Sequence, residues 1–194
     1  MEIIIEDITN DRLMRRACDM TRKPGLKPST INRAKLLMCE HSPARMIEFW
    51  IEGLEIPSFV SVHLVRHHQG ITGPFVESNR DDRGGAGDTA VNRLTPVNHG
   101  AKYNAQALIN MSRKRLCYNS HRTTVSVWMK VRKAMKKVCP DTADFMVPEC
   151  VYRGFCPELK QCKPGLENVL KAYKNTPVMQ ERKRQLHGIA PEIF

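Results

Sequence analysis

The stretch from Ser58 to Arg83, SFVSVHLVRHHQGITGPFVESNRDDR, changes character in its middle. Phe59, Val62 and Val65 recur at helical spacing behind Pro57, a residue suited to the first turn of a helix, so a helix over Ser58–His68 is expected. That helix delivers Arg66, His67 and His68 at its carboxyl end, and a glycine-bearing loop then leads to Glu77, Ser78 and Arg80. The result is a group of cations and hydrogen-bond donors beside one carboxylate. Arginine holds a phosphate through two parallel hydrogen bonds, and the amides of a glycine-rich loop add further donors. Cations at a helix carboxyl end also complement the helix dipole, and composition alone does not separate the two readings.

Upstream, residues 1–10 read as a short strand and Met14–Cys18 as helical. The run KPGLKPST at 23–30 is a loop, with Ser29 or Thr30 expected to cap a helix through Arg33–Met38. Glu40-His41-Ser42-Pro43 breaks that helix, and Arg45–Glu52 suits a strand. Downstream, residues 69–100 hold Gly70, Gly73, Gly84, Gly85, Gly87 and Gly100 and read as one long irregular stretch, a length usually kept for function. Helices are expected at Ala105–Leu116, at Thr123–Val138 up to Cys139-Pro140, and from Leu166 to Tyr173. The charged tail from Met179 reads as peripheral, and Trp50 and Trp128 as core. The coarse picture is α+β and helix-rich, without internal repeats.

The chain of 194 residues carries 31 Lys+Arg against 20 Asp+Glu, a formal charge of +11 and a pI near 9.5. Such an excess calls for an anionic partner: nucleic acid, a membrane surface or phosphorylated small molecules. No apolar run approaches the ~20 residues of a bilayer span, and the acidic start MEIIIEDITNDR is unlike a secretory leader, so a cytoplasmic protein is expected. Basic residues crowd Ser112–Arg115 and Lys130–Lys137, either as a solvated helix face, a wall facing phosphates or a nucleic-acid footprint. With aromatics at 6% and no stacking platform visible, nucleic acid is possible but not favoured.

Glu40-His41-Ser42-Pro43, Phe49-Trp50-Ile51, Arg66-His67-His68 and Ser78-Asn79-Arg80 together resemble the flavin-dependent thymidylate synthases, whose signature is an Arg-His-Arg triplet at a helix end, a loop, and a serine two residues before an arginine. Leu108-Ile109-Asn110, Arg115 and the basic helix ending at Cys139-Pro140 are similar to that family's carboxyl-terminal core, and the two blocks cover about half the chain in the right order. The resemblance implies a helix-rich α+β domain with a small, mainly antiparallel sheet over residues 1–162, with 163–194 as an extension. It implies transfer of a one-carbon unit from methylenetetrahydrofolate to C5 of deoxyuridine monophosphate, with FAD and NADPH. It also implies a homotetramer whose sites are shared between subunits.

By the same resemblance Arg66, His67, His68, Asn110 and Asn119 would meet flavin, while His63, Glu77, Ser78, Arg80, Arg93 and Arg115 would meet the nucleotide. Ser78 and Arg115 would stand closest to the chemistry, Arg115 favouring negative charge on the uracil ring. Departures from the family pattern are His68 for arginine, Met46 and Asn119 for flavin-contacting histidines, and His63 for a nucleotide-contacting glutamine. The loop to Ser78 is longer and the span from Arg80 to Arg93 much shorter than in the family, as in a compact, divergent, phage-like branch. Related outcomes are a hydroxymethyl product, or a non-catalytic basic module binding nucleic acid or a partner.

The seven cysteines are odd in number and scattered, which fits free thiols in a reducing compartment. Cys150, Cys156 and Cys162 follow one another with five residues between each pair, and Cys139 lies upstream. Structural zinc sites usually use tighter pairs, so ordinary reduced thiols are expected and no metal is assigned. Cys117 and His121 would complete a clamp only if the fold brings them near.

Overall fold

The computed structural model describes residues 1–85, 87 and 92–186, with side chains described as far as Glu181. Its sheet has four antiparallel strands, β1 (Glu2–Asp7), β2 (Glu48–Pro57), β3 (Ile71–Val76) and β4 (Pro96–Asn104), in the order β1-β2-β4-β3. Alternation along β2 and β4 turns Phe49, Ile51, Val97, Ala101 and Tyr103 into the core. Glu48, Trp50, Glu52 and Lys102 take the other face, where Lys102 pairs with Glu48 at 2.9 Å. The helices are α1 (Asp11–Met20), α2 (Arg33–Met38), α3 (Ser58–Val65), α4 (Ala105–Arg115), α5 (Arg122–Val138), α6 (Pro140–Phe145), α7 (Glu149–Arg153), α8 (Gly165–Ala172) and α9 (Pro177–Leu186). The chain is thus α+β, as its sequence implied.

Helix α5 lies at the centre of the packing. Val127, Trp128, Val131 and Met135 are buried on one stripe at helical spacing, and the Trp128 ring meets Tyr103 of β4 edge-on. The Trp128 indole donates to the Ser112 hydroxyl on α4 at 2.9 Å, which satisfies the one polar atom of an otherwise apolar side chain. A second, smaller core joins Val147, Val151, Val169, Tyr173 and Met179, so α8 and α9 pack on α7. The tail therefore opens with a buried anchor, Met179, rather than lying wholly at the periphery; residues 187–194 are outside the described ones.

Several local expectations are corrected. The stretch 69–100 contains β3 and the start of β4, held to its neighbours by backbone pairing that glycine content hid. Strand β2 runs through to Pro57, and α3 begins at Ser58 and stops at Val65, one turn short of His68. Asn32, not Ser29 or Thr30, caps α2, its side chain accepting from the Lys35 amide at 2.9 Å. Asn104 does the same for α4 through the Ala107 amide at 2.8 Å.

Candidate functional site

Two helix carboxyl ends and one loop build the site. Phe59, Val60, Ser61 and Leu64 of α3 are buried against the sheet, leaving Arg66 as the exposed residue that closes the helix. Arg115, in the last turn of α4, reaches across to α3: its Nε donates to His67 Nε2 at 2.8 Å and its Nη2 to the His63 carbonyl at 3.0 Å. The His63 carbonyl is one of the last in its helix, so Arg115 satisfies a group that the helix leaves open. The 92–95 loop is tied to the start of α3, with Ser58 Oγ donating to the Asn92 and Arg93 carbonyls and the Ser58 amide to Thr95. This brings the Arg93 guanidinium over the Phe59 ring at 5.7 Å. From α5, Thr124 Oγ1 bonds His63 Nδ1 at 2.9 Å, and the His121 ring packs on Phe59.

The electrostatics are one-sided. Arg66, Arg93 and Arg115 have no carboxylate partner among the described residues, whereas Arg33 pairs with Asp7 and Asp11, and Arg113 with Glu40. Burial and then the neighbouring Arg115 and His68 hold the His67 imidazole down to about 4. His67 is therefore neutral at pH 7, with Nε2 as the acceptor that Arg115 needs. Burial lowers His63 as well, followed by Arg115, Arg66, His121 and Arg93; burial and then Arg66 lower Arg115 itself. Cations gathered this closely form a place where an anion is stabilised.

The remaining candidate residues fall elsewhere in the chain. Glu77 sits at the end of β3, its carboxylate accepting from the Asn98 amide at 3.0 Å, beside an open groove lined by Trp50, Phe75 and Gly100. Ser78 accepts from the Arg80 amide at 3.4 Å, and the Arg80 guanidinium holds Asp82 at 2.6 and 2.8 Å in an exposed pair. Asn110 accepts from Gln106 and Arg113, on the side of α4 that carries Glu40's partner. Asn119 donates to the Lys160 carbonyl at 2.6 Å. His68 is exposed, and Met46 packs against the main core. One chain thus brings together His63, Arg66, His67, Arg93 and Arg115, and keeps Glu77, Ser78, Arg80, Asn110 and Asn119 in separate surroundings.

Sequence reasoning missed Phe59 and Thr124 as parts of this site and gave His121 only a metal role. The signal existed in part: Thr124 lies two residues beyond Arg122 in the first turn of a basic helix, but nothing in the sequence aims it at His63. It also missed His99, buried on β4 between the Ser61 hydroxyl at 2.9 Å and the Tyr103 hydroxyl at 3.1 Å. Burial keeps His99 below its ordinary value, so it serves as a neutral bridge under α3.

The donor set suits phosphate. Three guanidinium groups without carboxylate partners among the described residues, and a neutral imidazole, match the phosphates of a nucleotide or of FAD. The flavin-ring contacts implied for Asn110 and Asn119 have no counterpart in the same cluster.

No protein-family model matches the sequence, and no curated protein matches it. Among solved structures, the fold is similar to the UMP/dUMP methylase PolB from Streptomyces cacaoi bound with 5-Br dUMP, with a TM-score of 0.51 and 16% identity over 79% of this chain and 96% of that one. It is also similar to the flavin dependent thymidylate synthase ThyX from Helicobacter pylori complexed with FAD and dUMP, with a TM-score of 0.52 and 11% identity over 69% of this chain and 93% of that one. At these identities the likeness is one of fold.

Proposed function

We propose that the chain is an enzyme of flavin-dependent one-carbon transfer, moving a carbon unit from methylenetetrahydrofolate to C5 of a deoxyuridine monophosphate. The observation that carries this reading is the cluster of Arg66, Arg93 and Arg115, without carboxylate partners among the described residues, beside His63 and the neutral His67. The fold shared with two structures that hold dUMP or its bromo analogue agrees with it. Arg66 and His67, with the exposed His68, would hold flavin phosphates, and Arg93 and Arg115 the nucleotide. When bound, the flavin supplies the redox chemistry and NADPH its electrons; the protein supplies position and charge. Arg115 is already oriented by His67 and the His63 carbonyl, so its charge faces the ligand without reorganisation. Glu77, Ser78 and Arg80, on the segment that follows β3, and Asn110 and Asn119 would join a site completed by a second copy of the chain in a homotetramer.

Mixing the purified protein with FAD and reading visible flavin absorbance after desalting tests the cofactor. Retained flavin is the expected result, and complete loss would overturn the reading. A second reading keeps the fold without catalysis, as a basic module for nucleic acid or a partner. It is favoured by the intrachain bonds that occupy Asn110 and Asn119 and by the exposed Lys130, Lys133, Lys136 and Lys137 of α5. A protein that binds deoxyuridylate and FAD yet forms neither a methyl nor a hydroxymethyl product would support that alternative.

A further inference from the structure

Four of the seven cysteines meet at one place far apart in sequence. Cys117 follows α4, Cys150 lies on α7, and Cys156 and Cys162 lie on the segment between α7 and α8. All four line a single cavity of about 20 Å³, room for roughly one water-sized sphere and too small for an organic ligand. Cys18, Cys39 and Cys139 are not among its lining residues; Cys139, which lies upstream of Cys150, Cys156 and Cys162 in the sequence, contacts Thr142 and Arg33. None of the seven is in a disulfide.

The segment 154–164 has little else to hold it. It contains no helix or strand, Phe155 and Leu159 are exposed, and apart from the bonds at its two ends to Cys150, Gly165 and Asn168 its described ties are Asn119 to the Lys160 carbonyl and Lys114 to Glu158 at 3.3 Å. A short irregular segment without a core of its own is the usual setting for a metal staple.

We propose that Cys117, Cys150, Cys156 and Cys162 together form a structural zinc site that clamps the 154–164 segment onto the end of α4. Four thiolates from three parts of the chain supply the closed, tetrahedral, all-sulfur set that structural zinc takes. Among the described residues no three His, Cys, Asp or Glu side chains stand at metal-ligating spacing, so the thiols surround the cavity without converging. Protonated thiols have no reason to converge, since zinc–sulfur bonds of ~2.3 Å place sulfurs about 3.8 Å apart only once the protons are gone. Each thiol that coordinates the dication releases its proton to solvent. Two of the ligands sit on the irregular segment, which is the part able to close around the ion.

The test uses the full reduced chain with Co²⁺ as a probe, then Zn²⁺. The expected result is one cobalt per chain with the intense visible bands of tetrahedral thiolate coordination, bleached by zinc. Cys156→Ser should weaken cobalt binding by more than ~100-fold, beyond what losing an outer-shell partner costs. Cys39→Ser, at an exposed position outside the cavity, should leave it unchanged. Should Cys156→Ser fail to fold, alkylation mapping of the wild-type chain decides. Cys117, Cys150, Cys156 and Cys162 should be protected with zinc and modified after chelation. Weak octahedral cobalt spectra, bands that persist in Cys156→Ser, alkylation indifferent to zinc, or recovery of these cysteines as disulfides would each overturn the proposal. Flavin and nucleotide binding do not enter this readout, so its failure leaves the proposed function standing.

Discussion

Arg115 carries more of the account than any other side chain. It spans from α4 to α3, gives one hydrogen bond to His67 and one to the His63 carbonyl, and has no carboxylate partner among the described residues. A charge-assisted hydrogen bond to a phosphate contributes about 1.5–3 kcal/mol, so Arg115→Ala should weaken deoxyuridylate binding about 10–100-fold by calorimetry. Arg115→Lys should recover only part of this, because an ammonium lacks the planar fork. His67 gives a second expectation. Its folded-state value near 4 lies below the ordinary 6.5, so the unfolded chain binds a proton first as the pH falls. Stability contributed by neutral His67 is present above pH 6.5 and is lost progressively between 6.5 and 4. His67→Gln, which keeps an acceptor for Arg115, should flatten that part of a stability-versus-pH curve. Added inorganic phosphate should raise the His67 titration in NMR, and no movement would argue against an anion site. Arg66, His67, Arg93 and Arg115 were all legible in the sequence, since spacing put three of them on two helix ends. Thr124 and His99 were not, because a partner fixed by tertiary packing leaves no local pattern.

Helix ends, more than helix middles, set the site. Asn104 caps α4 and stands against Gly70, whose φ of +76° and carbonyl bond to the Asn104 amide at 3.0 Å connect β3's entry to the helix carrying Arg115. A Cβ on Gly70 would lie 2.6–2.9 Å from the Asn104 side chain. Gly70→Ala should therefore cost about 2 kcal/mol in chemical denaturation, from the left-handed backbone and the disturbed cap together. Asn104→Ala should lose about 1 kcal/mol, the cap alone. Helices α2, α4, α5 and α8 were readable within a residue or two, because 3.6-residue periodicity survives in the sequence. Strands β3 and β4 were not: Gly73, Pro74 and Gly100 are residues that local propensity assigns to loops. Pairing explains them, since Gly100 lies under the Trp50 ring, where a Cβ would come within 2.9 Å of it.

Across the whole molecule the charge of +11 divides into distinct parts. Arg22, Arg33, Arg113, Lys114, Lys136 and Arg153 have carboxylate partners and belong to the architecture. Arg66, Arg93 and Arg115 belong to the site. Exposed lysines on α5 remain, and they set the contrast with nucleic acid: binding across that face would lose affinity steeply with salt, by a log–log slope of about −0.9 per neutralised phosphate. A mononucleotide held by the arginine cluster should show a shallow slope instead. The sequence also placed Cys150, Cys156 and Cys162 near one another along the chain, yet only the fold could bring Cys117 to them. The central claim, that carbon is transferred to C5 of a deoxyuridine nucleotide, is tested most directly by tritium release. With FAD, NADPH and methylenetetrahydrofolate present, deoxyuridylate labelled at C5 should lose its tritium to water, and Arg115→Ala should suppress the release. Retention of the label by a protein that demonstrably binds both flavin and nucleotide would contradict the claim.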